Sequence, residues 1–493
     1  MAESFHIHAA FLVIYLIALI VVGARKAKSI RTHADFSLAG RRLSVPVLVG
    51  TLLATWIGTG SIFGNAEETF RVGVPAFLLP VSGGVGIIVL YFLAARIRRS
   101  GQFTIQDILE ERFGVITRIL GTLTLLMAYV IIVSYQYRAG AAVVEIIFPH
   151  IGHHSAVVGV AAFVILYTAL AGMFSVAYTD LANGILMVIG IFTALPILLI
   201  RAGGFEGVLS SIDPQSRSLF GTYSTMQLLS VLLPSLLLII GDANMYQRFF
   251  SARDPQAARR SAIGMFAGVL ILEFGIILTA LIGKSLVVKG LIPAPDIPGH
   301  IIVQTAFYGL PPLLGALLAA TVVAVVVSTA DSYLLAPSTS LVRDVYERFL
   351  ARQHPPRHSV FVGRAVVVLL GGLALGLAFL SDRFFSVALF AYTIYGAGIT
   401  PVILAAFFWK GATRSGAVAS MITGVLTAVL WKSLITGGNL AQWFENADRN
   451  QAARSLQHLE KMNIEPVLPA LALSLIVLIL VSLLTRGHAA RRS

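Results

Sequence analysis

The sequence predicts an all-α membrane protein with about thirteen transmembrane helices, and three observations lead to that fold class. Of its 493 residues, 57% are hydrophobic and only 12% are charged, whereas soluble domains carry roughly 25% charged residues. Apolar runs of about 20 residues, the length that crosses a bilayer, recur along the whole chain. Basic residues collect in alternate connections between these runs, as cytoplasmic loops do.

The same composition narrows the function classes. The chain has no cysteine, which excludes disulfides and thiolate metal sites. Its net charge of +13 is explained by Lys and Arg on the cytoplasmic face, so we expect no nucleic-acid partner. The histidines lie in connections and near the ends of spans, away from any pair of acids, which argues against an enzyme and against an organic cofactor. The predicted partners are a small solute, sodium and the lipid bilayer, and the oligomeric state is not indicated.

The predicted spans follow the apolar runs in order. They cover residues 9–24, 44–64, 74–97, 116–148, 155–174, 176–200, 226–249, 261–283, 311–341, 360–380, 385–409, 415–436 and 466–485. The first span has neither a basic leader nor an obvious small-residue cleavage site, so it is predicted to be a helix rather than a signal peptide.

Charge sets the predicted orientation. The first span is followed by a strongly basic segment, which places the N-terminus outside and this segment in the cytoplasm; its basic residues are Arg25, Lys26, Lys28, Arg31, Arg41 and Arg42. Alternation then places the C-terminus inside, and the loops predicted inside are all basic: 96–100, 248–261, 343–364, 410–415 and the tail. The loops predicted outside, 285–310 and 437–463, are less basic for their length. We expect a bacterial plasma-membrane protein.

Two spans contain helix-breaking residues at mid-membrane. The second span contains "GTGS" at 58–61, and the seventh places Gly241, Asp242 and Asn244 in an apolar run. Exposed backbone is not tolerated in lipid, so such breaks indicate contact with protein, water or ligand. Without the first span, these are helices one and six of two five-helix halves, the pattern of a transporter with inverted repeats.

The predicted organisation is therefore a five-plus-five inverted-repeat core with flanking helices. Residues 1–43 form an N-terminal extra helix and a basic loop, and 44–200 the first repeat. Residues 226–409 form the second repeat, and 410–493 the C-terminal helices and tail.

Three segments give the chain a family resemblance. These are "THADFSLAGRRL" (32–43), "AGMFSVAYTDLANG" (171–184) and "STADSYLLAPSTSLVRDVY" (328–346). Together they resemble the sodium:solute symporter family, which includes sodium-coupled proline, sugar, pantothenate and choline carriers. The resemblance covers roughly residues 10 to 435 and implies the same inverted-repeat fold.

The resemblance also implies a sodium site where the first broken helix meets the eighth core helix. By position, its ligands are the carbonyls of Ala54, Ile57 and Val325 and the hydroxyls of Ser328 and Thr329. Uncharged oxygens released by an unwound helix suit a hard monovalent cation. A proton could replace sodium as the driving ion, but the two hydroxyls favour sodium.

A second group of polar residues is implied as a sodium exit path or a second sodium site. It consists of Asp180, Asp331 and Ser332. The chain departs from the family here, because Asn183 replaces a common Gln and Asp331 stands where some members have a hydroxyl. Asp180 could instead cap its helix, and the number of sodium ions stays open.

The solute is predicted from charges and aromatics near the breaks. A buried Arg suits a carboxylate, and Arg138 could face Glu145, Asp242 or a substrate carboxylate. We predict an amino acid or other small carboxylate, imported by sodium symport through alternating access. The predicted substrate-binding residues are Trp56, Thr59, Ser61, Tyr135, Arg138, Asp242 and Asn244.

Other cargoes and classes remain alternatives. A sugar remains open as a cargo. Choline needs an aromatic box for its quaternary ammonium, and apart from Trp56 the expected box residues are absent. A sensor module would need an attached kinase, and the chain ends soon after its last span. A channel fits broken helices less well than alternating access does.

Overall fold

A computed structural model describes residues 2–27, 33–221, 223–350, 356–380, 383–436 and 464–489. These residues are almost entirely helical. In the first half of the chain the helices are α1 (Ala2–Ala27), α2 (His33–Leu38), α3 (Val45–Trp56), α4 (Asn65–Val72), α5 (Leu79–Ser100), α6 (Ile105–Phe113), α7 (Val115–Ile147), α8 (His153–Arg201) and α9 (Gly204–Ser210). In the second half they are α10 (Thr225–Gly241), α11 (Ala243–Ser251), α12 (Pro255–Val288), α13 (Ile301–Gly309), α14 (Pro312–Ser340), α15 (Pro356–Leu377), α16 (Phe384–Phe408), α17 (Arg414–Leu430) and α18 (Val467–Ala489).

Ten of the described helices are long and apolar enough to cross a membrane, and the bent pair formed by α3 and the segment Gly60–Val72 makes an eleventh span. A shorter apolar helix, His6–Val22, corresponds to the first predicted span. The predicted number of thirteen spans is approximate. The remaining difference from the observed number arises because α8 contains two of the predicted spans. Predicted loop 437–463 lies outside the described residues.

Helix α8 contains two of the predicted spans in one 49-residue element. At 1.5 Å per residue such a helix is about 74 Å long, more than twice the thickness of a bilayer core. Its backbone breaks at Gly172, where φ is 62° and ψ is 171°. This conformation is essentially restricted to glycine, because a Cβ would clash with the backbone. The turn between the two spans is therefore a single residue.

Both predicted mid-membrane breaks are present. Helix α3 ends at Trp56, and the chain bends by 51° before the segment Gly60–Val72 continues the span. Residues Gly60–Gly64 form one widened π-helical turn, a feature frequent at functional sites. The second break is Asp242, which is extended between α10 and α11.

The chain clusters into two compact units. One comprises Met1–Thr104, Tyr129–Thr222 and Ala243–Ala388, and the other comprises Ile105–Ala128, Tyr223–Asp242 and Leu389–Ser493. In the first unit α14 packs on α8, α12 packs on α5 and α3, and α1 packs on α8 and α14. Tyr15 of α1 donates a hydrogen bond to Asn183 Oδ1 at 3.0 Å. In the second unit α17 packs on α18, and Arg118 forms buried ion pairs with Asp107 and Glu110.

Candidate functional site: the break of the first core helix

The five predicted sodium ligands lie together where α3 ends against α14. Ser328 Oγ is 3.0 Å from the carbonyl oxygen of Ala54 and 3.2 Å from that of Val325. Thr329 Oγ1 is 3.4 Å from the carbonyl oxygens of both Ala54 and Ile57. All five residues are buried. The cluster is a cradle of five uncharged oxygens contributed by two helices.

The break explains why the carbonyls are available. Ile57 is extended, with φ of −72° and ψ of 91°, so the helix stops there. The backbone N–H of Ser61, which would bond Ile57 in a continuing helix, donates to the carbonyl of Gly58 at 3.0 Å instead. Carbonyls in the last turn of a helix accept no hydrogen bond from a backbone N–H of the same helix, so they are available to other donors or to a ligand. Uncharged oxygens at mid-span suit a monovalent cation without adding buried negative charge.

Asp180 and Ser332, from the second predicted group, lie together around a basic residue that the sequence analysis did not single out. Arg248 of α11 is fully buried, and its Nη2 is 2.6 Å from Ser332 Oγ and 3.5 Å from Asp180 Oδ2. Thr51 donates to Asp180 Oδ2 at 2.6 Å and accepts from Arg248 Nε at 3.1 Å. A guanidinium thus supplies positive charge beside the acid predicted to hold a second cation.

Asp331, the third predicted member, joins the same cluster through Ser332. The Ser332 hydroxyl oxygen is 3.3 Å from Asp331 Oδ1. Both side chains are almost completely buried. The rule that a charge inside a span is costly and functional applies equally to Arg248, and it could have found that residue in "MYQRFF".

The predicted solute residues at the break make polar contacts with two further helices. Thr59 donates a hydrogen bond to Gln136 Oε1 of α7. Ser61 donates to Glu273 Oε1 of α12 at 2.8 Å, and the Trp56 side chain lies near the same carboxylate. Gln136 and Glu273 were not predicted. Glu273 is a lone acid in the apolar run "LILEFGIIL", the same signal that marks Arg248.

Arg138 lies against an aromatic cluster formed by Phe63, His300 and Phe384. Its guanidinium carbon is 5.1 Å from the centroid of Phe384, and Phe384 packs against Phe63 with ring centroids 5.0 Å apart. His300 contacts both rings, at 5.9 Å from Phe63 and 5.7 Å from Phe384. Burial, together with the nearby Arg138, lowers the pKa of His300 to about 4. His300 is therefore neutral at pH 7.

The remaining predicted residues are placed as follows. Glu145, one of the proposed partners of Arg138, contacts His153 Nδ1 at 2.6 Å. Tyr135 is buried in α7. Asn244 Oδ1 is 3.5 Å from Arg248 Nη1, and its backbone N–H donates to the Tyr129 hydroxyl at 3.4 Å. Asp242 belongs to the other compact unit, so its pairing with Arg138 stays a prediction.

The chain resembles known proteins over nearly its whole length. Residues 36–424 match the model of the sodium:solute symporter family. The high-affinity proline transporter PutP of Bacillus subtilis is 26% identical over 431 residues, which cover 84% of this chain and 89% of the relative. The sodium/proline symporter of Staphylococcus aureus (strain JH9) is 25% identical over 496 residues, which cover 96% of this chain and 92% of the relative.

Solved structures show the same fold. The substrate-bound, outward-open structure of a Na⁺-coupled sialic acid symporter matches with a TM-score of 0.79 at 17% identity, over 97% of both chains. The nucleobase-cation-symport-1 family transporter Mhp1, in a closed conformation, matches with a TM-score of 0.56 at 15% identity, over 93% of this chain and 95% of Mhp1. These likenesses confirm the inverted-repeat fold. The family match, the oxygen cradle at the first break and the transporter relatives lead to one conclusion: this integral membrane protein belongs to the sodium:solute symporter family and couples transport of a small solute to sodium.

Proposed function

We propose that the protein imports an amino acid or other small carboxylate across a bacterial plasma membrane together with sodium, by alternating access. The N-terminus lies outside and the C-terminus in the cytoplasm, as the basic loops predict. The single observation that carries the sodium half is the cradle of five oxygens at the first break, where Ser328 Oγ lies 3.0 Å from the carbonyl of Ala54. The named substrate of the two curated relatives, proline, favours an amino acid.

Sodium in this cradle would link α3 to α14 and steady the broken helix. Thr59 and Ser61 directly follow the break. When sodium holds the backbone of the break in one conformation, their hydroxyls are held in the positions that bind the solute. Sodium then tightens solute binding, and by linkage the solute tightens sodium binding by the same factor. The coupling needs no direct contact between sodium and the solute, because both ligands act on the shared segment 57–61.

The second polar group is proposed as an exit path for sodium rather than a second binding site. Arg248 already supplies a positive charge to Asp180, with Nη2 and Oδ2 3.5 Å apart. A sodium ion placed at the same carboxylate would lie beside a guanidinium and be repelled by it. Asp331 and Ser332 continue this polar path from Ser328, whose carbonyl accepts a hydrogen bond from Ser332 at 2.8 Å.

Uptake into proteoliposomes tests the proposal. Uptake of L-amino acids, monocarboxylates, sugars and choline is measured with and without a sodium gradient at fixed pH. The double variant Ser328→Ala, Thr329→Ala should lose at least ten-fold in apparent sodium affinity, and sodium-stimulated uptake should fall with it. Thr193→Ala is the matched control, since that exposed hydroxyl donates to carbonyls of its own helix.

The outcomes separate the alternatives. Sodium dependence that survives the double variant contradicts the site. Uptake driven by a pH gradient without sodium contradicts the coupling ion. Accumulation of a sugar or of choline contradicts the solute class. Uptake that never carries the solute beyond its own electrochemical equilibrium indicates a channel.

A further inference from the structure

Glu273 is an acidic residue midway along α12, a helix that is otherwise apolar around it. Its side chain is almost fully buried, at 5% exposure. A carboxylate inside a span is costly and is usually retained for function. Nothing in the sodium cradle or in the Arg248 cluster uses it.

The carboxylate receives hydrogen bonds from the segment that follows the first helix break. Ser61 Oγ donates to Oε1 at 2.8 Å, and Asn65 Nδ2 donates to Oε2 at 2.7 Å. Trp56, the last residue of α3, lies near the same carboxylate from before the break. An ionised carboxylate only accepts hydrogen bonds, and an amide N–H only donates. These donors favour the ionised form, whereas burial opposes it.

An ionised Glu273 has no counter-charge among the described residues. In the part of the chain that the structure describes, no Lys, Arg or His nitrogen lies within 4.0 Å of its oxygens. Two other buried acids differ, since Asp180 has Arg248 and Asp107 has Arg118. A buried charge without a partner is strongly destabilising. Ser61 and Asn65 occupy two of about four acceptor positions on the carboxylate, so it can accept a further hydrogen bond.

We propose that Glu273 is the subsite for a cationic amino group of the solute. The indole of Trp56, which lies near the same carboxylate, adds an aromatic surface that attracts an ammonium group. Sodium has its own oxygen cradle, built from α3 and α14, and Glu273 is not part of it. The inference rests on the proposed function and narrows it: the solute is an amino acid or amine, and neither a neutral sugar nor a simple monocarboxylate.

Paired ligands test this subsite on the purified full-length protein in saturating sodium. Binding of each L-amino acid is compared with that of the corresponding carboxylic acid without the amino group, by calorimetry and thermal shift. The wild type should bind its best amino acid at least about 100-fold more tightly than the deaminated acid, as expected for a lost contact to a buried charge. Glu273→Gln should lower amino acid affinity at least about ten-fold and change affinity for the deaminated acid less than about three-fold.

Two further variants separate recognition from a purely structural role. Glu273→Asp keeps the charge and should keep the preference for the amine, while the exposed Glu206→Gln should change nothing. Equal weakening of both ligands by Glu273→Gln would show that Glu273 only holds the break, and would overturn the proposal. So would tight, sodium-dependent wild-type binding of a sugar or of a deaminated acid, although sodium symport would then stand. Wild-type binding that does not depend on sodium, or no binding of any ligand in the panel, counts against both the subsite and the proposed function.

Discussion

The hydroxyl of Ser328 donates a hydrogen bond across 3.0 Å to the carbonyl oxygen of Ala54. The contact joins α14 to the last turn of α3, one turn before the chain bends. Thr329 reaches the next free carbonyl, that of Ile57, at 3.4 Å. Any change that separates these two helices must therefore open the cradle, which makes their closest approach a sensitive place to test it.

Gly58→Ala should weaken the sodium cradle without touching any of its oxygens. A Cβ at position 58 would lie 2.8 Å from Thr329 Cγ2 and 3.0 Å from Thr329 Oγ1, so α14 must shift or the threonine must rotate. We expect at least a ten-fold loss of apparent sodium affinity, measured by sodium titration of thermal stability. Gly372→Ala is the control, because a Cβ there meets nothing within 4 Å. An unchanged sodium titration would contradict the close packing of the break on α14.

Arg248→Gln should destabilise the protein more than any single change to the acids around it. The variant leaves Asp180 and Asp331 buried with no guanidinium beside them, and breaking a buried ion pair costs on the order of 3–5 kcal/mol. Adding Asp180→Asn removes one unpaired charge and should recover part of that loss. Denaturation of the purified protein is measured for Arg248→Gln, for Asp180→Asn and for the double variant. Strictly additive effects would mean that Arg248 and Asp180 do not interact.

Gly172→Ala should disrupt the turn between the two halves of α8. The residue has φ of 62°, where an alanine is strained by about 1–3 kcal/mol. Gly159→Ala, in the same helix with open space around its Cβ, should instead be neutral or slightly stabilising, because it removes freedom from the unfolded chain. Comparison of the two melting temperatures checks the backbone conformation directly. Equal melting temperatures would contradict the break.

His300 should make stability fall in mild acid. Its pKa is about 4 in the folded protein and about 6.5 in an unfolded chain, so between these values the unfolded state binds more protons. Stability is therefore complete above about pH 6.5 and decreases as the pH falls towards 4. His300→Phe keeps the aromatic contacts with Phe63 and Phe384 and should remove this part of the pH dependence. The exposed His150→Gln should keep it.

Much of this protein follows from its sequence alone. Apolar runs of bilayer length fixed the fold class, because a membrane core admits only hydrogen-bonded backbone. Glycine and polar residues inside two such runs located both helix breaks, at 58–61 and at Asp242. The motif around Ser328 and Thr329 pointed to the cradle oxygens. These signals are local, because each one depends on residues that are close together in the sequence.

The tertiary structure decided which distant side chains share one site. Glu273 was visible as a charge in an apolar run, and Arg248 stood at the end of a predicted span. Nothing local says that Arg248 joins Asp180, 68 positions away, or that Glu273 accepts hydrogen bonds from Ser61 and Asn65. Burial makes these pairings specific, because a charged group removed from water needs a hydrogen-bond or ion-pair partner. Helix packing determines which partner lies close enough. The sequence located the break, and helix packing determined the side chains around it.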